Sequence, residues 1–293
     1  MDYIKRILIG ILRRAGGIIP DKLQIEAYYR LEMGKNLDLK RPKTMNEKLQ
    51  WLKLYSRKEM YRPFVDKIKV KEIVAKKIGK KYVVPILGVW DSFDDIDFDK
   101  LPEKFVLKTN HSGGNVGVVI VPDKSKLNIS KAKEKLERSL KSDIYRSFRE
   151  WPYKGMEKKI FAEEYLGSVL VDYKFYCFDG DADCVLLCID RQTGAPKFYF
   201  FDKEWKLRRY NKRGKEAPKD FTLPKPEGID EMFRLASEMS KGFPFVRMDF
   251  YDVKGRVYFG EYTFFPASGY DSNRLPEADL YFGKKIKLPS VSK

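Results

Sequence analysis

Phe105-Val106-Leu107-Lys108-Thr109-Asn110-His111-Ser112-Gly113-Gly114-Asn115-Val116-Gly117-Val118-Val119-Ile120-Val121 is a β-rich run that delivers a lysine, breaks into a small loop, and returns as a second β-rich run. Two strands with such a loop between them can hold a triphosphate. Backbone N–H groups of a Gly/Ser loop approach phosphate oxygens closely because no Cβ intervenes. Lys108 adds a compact cation that can reach two phosphates. The loop is not a P-loop, since no GK[ST] opens a helix here. Read alone, the segment is equally well a glycine-bearing hairpin with an incidental lysine.

A second hairpin lies far along the chain. Phe245-Val246-Arg247-Met248-Asp249-Phe250-Tyr251-Asp252 and Val257-Tyr258-Phe259-Gly260-Glu261-Tyr262-Thr263-Phe264 are β-prone runs flanking the polar turn Val253-Lys254-Gly255-Arg256. Alternation puts Arg247, Asp249 and Tyr251 on one face, and Glu261 with Thr263 on one face of the partner strand. Pairing the strands brings the two carboxylates together beside a guanidinium. Hard divalent cations held by one or two carboxylates plus substrate phosphates need this arrangement. The bland alternative is an exposed hairpin with an ion pair of little value. Between the hairpins, Ile160-Phe161-Ala162-Glu163-Glu164-Tyr165-Leu166-Gly167 is a short apolar strand ending in paired glutamates. Such an end can offer backbone groups to an adenine edge, and a glutamate there can accept from the base or from ribose. In Asp172-Tyr173-Lys174 the two charged residues share a face.

Together these residues resemble the ATP-grasp superfamily, and within it the TupA-like ATP-grasp family of bacterial surface-polysaccharide loci. The likeness runs from about Pro20 to Leu288 and includes Arg41-Pro42-Lys43-Thr44-Met45-Asn46-Glu47-Lys48-Leu49-Gln50-Trp51, Val84-Pro85-Ile86-Leu87-Gly88-Val89-Trp90, Arg149-Glu150-Trp151 and Phe243-Pro244-Phe245-Val246-Arg247. The resemblance implies an α+β ATP-grasp fold, two α+β subdomains clamping ATP, with a helical N-terminal extension. The corresponding division is a basic amphipathic segment over 1–19, a helical region over 20–79, subdomains over 80–158 and 159–288, and a tail over 289–293. The implied cofactors are ATP and Mg²⁺.

The resemblance also assigns roles. Lys108 touches the α/β-phosphates, and the loop of His111, Ser112, Gly113, Gly114 and Asn115 closes over the β/γ end. Glu163 and Glu164, with the backbone of Tyr165 and Leu166, meet the adenine, and Asp172 takes the ribose. Asp249 and Glu261 hold Mg²⁺, while Arg247 steadies the transferred phosphoryl group. Lys174, with Arg191 and Lys197, supplies further positive charge. One departure stands out: ATP-grasp enzymes usually carry Glu-x-Asn at the second metal position, where this chain has Glu261-Tyr262-Thr263. A threonine hydroxyl is a weaker and shorter ligand, so either water fills the gap or the second metal is loosely held. The resembled family itself often has threonine here.

The implied reaction is ligation of a carboxylate to an amine through an acylphosphate, in the synthesis of capsule, O-antigen or teichuronopeptide. The alternative is a glycan kinase, in which a sugar hydroxyl takes the γ-phosphate directly. A third reading is a non-catalytic module that binds polyanions or membrane glycans. The expected partner is an acidic or lipid-linked glycan acceptor, with peripheral contact to anionic membrane and no nucleic acid. The expected location is the cytoplasm, at the inner face of the membrane where such contact occurs.

Composition agrees with a folded chain: 43% of 293 residues are apolar and 14% aromatic, enough to build a core. The three cysteines, Cys177, Cys184 and Cys188, lie on β-like segments without metal spacing. An odd, sparse count argues against a disulfide framework. The single histidine, His111, excludes a Ser-His-Asp triad built elsewhere and any multi-histidine metal cluster. In its loop it makes either a phosphate or substrate hydrogen bond or a structural one. Lys and Arg total 59 against 42 acids, a net charge of +17 that attracts polyanions. No zinc-finger, RRM or helix-turn-helix signature directs that charge to nucleic acid.

At the N-terminus, Tyr3-Ile4-Lys5-Arg6-Ile7-Leu8-Ile9-Gly10-Ile11-Leu12-Arg13-Arg14 sets a brief apolar run between basic pairs. The run is far shorter than the ~20 residues that span a bilayer. It reads either as an interfacial helix on the inner leaflet or as a helix packed on its own domain. Further on, Asn46 is expected to cap a helix through Tyr55, Asp66 to Ile78 reads as a helix with an apolar stripe, and Ser130 opens a helix to about Ser147. The Pro- and Lys-rich residues 208–227 read as a surface loop, one that could meet an acceptor.

Overall fold

The computed structural model describes residues 2–167, 170–190 and 193–290. Its strands form two antiparallel sheets. In the first, β1 (Ile86–Trp90), β2 (Phe105–Thr109), β3 (Val118–Val121) and β4 (Ile160–Glu164) line up in the order β1-β4-β2-β3. The second comprises β5 (Asp172–Phe178), β6 (Asp181–Ile189), β7 (Lys197–Phe201), β8 (Leu207–Arg208), β9 (Val246–Val253) and β10 (Arg256–Thr263). Its order is β10-β9-β5-β6-β7-β8. The α+β reading therefore holds.

Each sheet has its own apolar core. Phe105, Leu107, Ile160 and Ala162 alternate inward from the first sheet to meet Phe93, Ile96 and Leu136. Leu136 comes from α6 (Ile129–Lys141). The larger core belongs to the second sheet, whose central strand β5 is buried at every residue. Phe175 meets Phe233 of α9 (Ile229–Met239) edge to face at 4.8 Å, a geometry aromatic rings favour. The same core takes Met45 and Leu49 of α3 (Met45–Tyr55), Val65 of α4 (Arg62–Val65) and Val70 and Val74 of α5 (Lys69–Lys77). The helical region thus packs on the six-stranded sheet.

Local expectations are corrected in three places. Thr44 rather than Asn46 caps α3: its hydroxyl accepts from Glu47 N, and the Glu47 carboxylate accepts from Thr44 N at 3.0 Å, a reciprocal capping box. Asn46 instead donates its side-chain amide to Asp279, tying α3 to α10 (Pro276–Lys285). Asn128, not Ser130, caps α6, which stops at Lys141; a separate α7 (Ile144–Phe148) begins behind its own cap, Asp143. The 208–227 segment contains α8 (Lys212–Glu216) in addition to the end of β8.

Two irregularities position the site. Loop 110–117 is closed at its base by Thr109 N donating to Gly117 O at 2.9 Å, and its turn uses Gly114 at φ 61°. Asn110 carries the loop's anchors: its N donates to Lys159 O, and its O accepts from Lys67 N at 2.9 Å. The second irregularity is a bulge at Gly260, between Phe259 opposite Phe250 and Glu261 opposite Asp249. A Cβ at Gly260 would sit 3.1 Å from Asp249 O and 3.3 Å from the Tyr251 ring, so glycine permits the close approach.

At Gly117 a Cβ would press on the hydroxyls of Thr109, Ser112 and Ser139, which bond to one another beneath the loop. Gly117→Ala is expected to lower stability by about 1–3 kcal/mol through overpacking, read as a lower urea midpoint with an unchanged m-value.

Candidate active site

Between the two sheets lies a cleft of about 1220 Å³. The first sheet supplies Lys108 and Glu163, which belong to neighbouring strands. The second supplies Asp172 and Lys174 from β5, Arg247 and Asp249 from β9, and Glu261 from β10. Their adjacency follows from register. Lys174 stands opposite Asp249 across β5 and β9, and Asp249 stands opposite Glu261 across β9 and β10. Val106, Phe161, Leu166 and Leu170 give one wall of the cleft an apolar surface, and Glu164 and Asn115 also line it.

The charges are closely paired. Asp249, 2% exposed, accepts from Arg247 Nε at 2.6 Å and Nη2 at 2.7 Å, and from Lys174 Nζ at 2.6 Å. Arg247 Nη2 also reaches Glu261 Oε1 and Thr263 Oγ1, each at 3.0 Å. Lys67 Nζ lies 3.1 Å from Glu261 Oε2. On the facing sheet Glu163 takes Lys71 Nζ at 2.9 Å on one oxygen and the Lys108 ammonium on the other.

Burial would raise the Glu261 pKa, but Lys67, Arg247 and Lys174 override it and hold the carboxyl far below the usual range. Burial likewise opposes the charge on Glu163, and Lys108 with Lys71 prevails, leaving the pKa below its ordinary value. Arg247 shows the converse: burial favours the neutral form, yet Asp249 and Glu261 push its pKa upward. These groups are ionised at neutral pH.

Lys67 and Lys71 were missed by the sequence reading, which took 66–78 as one helix and only for its apolar stripe; α5 starts at Lys69 and leaves Lys67 in the turn before it. They stand four apart, flanking Val70, with Asp66 Oδ1 accepting from Ile68 N at the helix start. The available signal was only that two lysines lie close in sequence to the apolar stripe of Val70 and Val74.

Other expected residues stand elsewhere. His111 is 2% exposed, and its Nε2 lies 3.1 Å from Ser139 O. Burial pushes its pKa down to about 4, so the ring is neutral. Of the two roles open to it, the structural one is observed. The Ser112 hydroxyl is likewise turned inward, accepting from Thr109. Gly114 and Asn115 line the cleft, whereas His111, Ser112, Gly113 and Tyr165 are not among its lining residues. Lys197 pairs with Asp190 at 2.7 Å outside the lining set. Arg191 lies outside the described residues.

The donor types suit a hard dication, two carboxylates opposite each other with a threonine hydroxyl 3.2 Å from Glu261, although here Arg247, Lys174 and Lys67 hold their oxygens. Mg²⁺ is characteristically held by one or two carboxylates, waters and substrate phosphates rather than a full protein cage. Among the described residues no cluster of three or more His, Cys, Asp or Glu offers such a cage.

The two antiparallel sheets thus enclose a cleft with Lys108 on one wall and the Asp249–Glu261 pair on the other. The TupA-like ATP-grasp family model matches residues 47–287, and the chain belongs to that family. Among solved structures it is similar to D-alanine–D-alanine ligase from Bacillus anthracis, at 19% identity and TM-score 0.43, covering 76% of this chain and 67% of that one. It is also similar to the Helicobacter pylori D-alanine–D-alanine ligase (13%, TM-score 0.45, 84% and 69% covered). A third similarity is to the L-amino acid ligase from Bacillus licheniformis (16%, TM-score 0.40, 70% and 44% covered). No curated protein matches the chain.

Two outcomes follow from the charge geometry. Asp249→Ala strips two buried cations of a shared counter-charge, and unfolding in urea should show a loss of about 3–5 kcal/mol. For Glu261 the folded pKa is depressed, so its contribution to stability is complete above the ordinary value of 4.5 and fades as pH falls below it. Stability measured from pH 6 to pH 3 should decline less steeply in Glu261→Gln than in the parent protein.

Proposed function

We propose that this chain is an ATP-dependent carboxylate–amine ligase working through an acylphosphate in bacterial surface-polysaccharide biosynthesis. The observation that carries the reading is the facing of Lys108 and the Asp249–Glu261 pair across one cleft. In this reading Lys108, Lys67 and Lys71 draw the triphosphate into the cleft, and loop residues Gly114 and Asn115 cover its β/γ end. Glu164 and the backbone at Leu166 meet the adenine against the apolar wall, and Asp172 takes the ribose. Asp249, Glu261 and Thr263 hold Mg²⁺, which neutralises phosphate charge when bound.

A carboxylate oxygen of the first substrate attacks the γ-phosphorus, the bond to the β-phosphate oxygen breaks, and ADP leaves. Arg247 and Lys174, fixed by Asp249 before substrate arrives, stabilise the charge that develops on the transferring group. An amine then attacks the acyl carbon and phosphate departs, leaving an amide. The excess of basic residues over the whole chain suits an acidic glycan as acceptor.

The test is ADP release by purified protein supplied with uronic acids, amino acids and surface glycan. Release should require both a carboxylate and an amine, and ³¹P spectra should show free phosphate without a phosphomonoester. A phosphomonoester product would identify a glycan kinase instead. Lys108→Met should lower kcat/KM for ATP by about 10²–10³-fold, while its far-UV circular dichroism stays that of the parent.

A further inference from the structure

The N-terminal helix α1 (Asp2–Arg14) is held against α2 (Asp21–Met33) and α7 by polar contacts on one side. Lys5 pairs with Glu32 at 2.8 Å, and Arg13 Nε donates to the Tyr28 hydroxyl at 3.1 Å with its guanidinium over the Phe148 ring. These contacts fix which side turns outward. On that side Tyr3 is 78% exposed, Ile7 45%, Leu8 41% and Ile11 53%. Tyr3, Ile7 and Ile11 follow at helical i, i+4 spacing and form one stripe. Beyond the helix, Ile18 is 90% exposed and Leu23 57%.

Apolar side chains gathered in this way mark a surface that something covers. The sequence around them is basic: Lys5, Arg6, Arg13, Arg14 and Lys22 against Asp2 and Asp21. Lys22, Arg30 and Lys35 are exposed on or just beyond α2. Packing this face on a second copy would bring like charges together, whereas an anionic surface complements them. A single apolar stripe bordered by basic residues is the form of a helix lying in a membrane interface. Among the described residues no helix is long and apolar enough to cross a bilayer.

We propose that α1 is an in-plane anchor that seats the protein on the surface of an anionic phospholipid bilayer. Tyr3, Ile7, Leu8 and Ile11 enter the headgroup–acyl boundary, and the exposed Lys22, Arg30 and Lys35 are the cations offered to lipid phosphates. The anchorage is reversible, because one short helix buries little apolar surface.

The test is co-sedimentation of the full chain with phosphatidylcholine vesicles, with and without about a third phosphatidylglycerol, alongside sedimentation velocity without lipid. The parent protein should bind the anionic vesicles and barely bind the neutral ones. Ile7→Glu/Ile11→Glu should weaken that binding about tenfold or more while ADP release is retained, since neither residue lines the cleft. Absence of binding by the parent would overturn the proposal. So would equal binding by the double variant, which would mean charge attraction without insertion. A parent dimer that the double variant dissolves, with no lipid binding, would assign the face to a second copy and likewise overturn it.

Discussion

Asp249 is the constraint on which the cleft rests. A buried carboxylate is costly to leave charged, and here Arg247 and Lys174 reach both of its oxygens within 2.7 Å. Those cations come from adjacent strands, so the ion cluster and the β5-β9 pairing enforce each other. Arg247 then extends to Glu261 and Thr263, drawing β10 into the same arrangement. The acids are held by protein cations before any nucleotide arrives. Much of the reorganisation that charge transfer would demand is already built into the fold.

The facing wall uses the same logic with fewer parts. Glu163 holds the ammonium groups of Lys71 and Lys108 together, two like charges that would otherwise repel. Lys71 also donates to Val84 O at 2.6 Å, and Lys67 is tied through its backbone to Asn110 at the start of the loop. The turn before α5 and the helix itself therefore bridge the lobes: Lys67 in the turn pairs with Glu261 of one sheet, and Lys71 in the helix pairs with Glu163 of the other. Beneath this, Lys53 Nζ donates to Ser268 O at 2.6 Å and Glu150 accepts the Ser268 hydroxyl. They hold Ala267 and Ser268 at left-handed φ values of 48° and 51° just after β10, backbone strain that only surrounding bonds sustain.

Strand chemistry was legible in the sequence because it is local. Alternation sufficed to group Arg247 with Asp249 and Glu261 with Thr263, but bringing the two groups onto one face needed the bulge at Gly260, which neither alternation nor the turn discloses. Loop chemistry was not. Polarity in 109–115 does not say which way a hydroxyl or an imidazole points, and Ser139 of α6, distant in sequence, draws Thr109, Ser112 and His111 inward. The lysines at and before the start of α5 were hidden for a third reason. An apolar stripe explains a helix fully, so Lys67 and Lys71 gained meaning only once that stripe had docked and their own side faced two acids. Capping was similarly ambiguous, since Thr44 and Asn46 are both good caps and only the Asn46–Asp279 bond decides between them.

The bulge at Gly260 sets the phase of everything after it on β10. With uninterrupted pairing beyond Phe259, Gly260 would stand opposite Asp249, and Glu261 would oppose Met248 on the reverse side of the sheet. One supernumerary residue thus converts an edge strand that would turn its glutamate to the far side of the sheet into one that delivers it to the cleft and its cations. The strand behaves like a gear with a skipped tooth: were Gly260 paired in line instead of bulged, Tyr262 would stand opposite Arg247, where Thr263 now does.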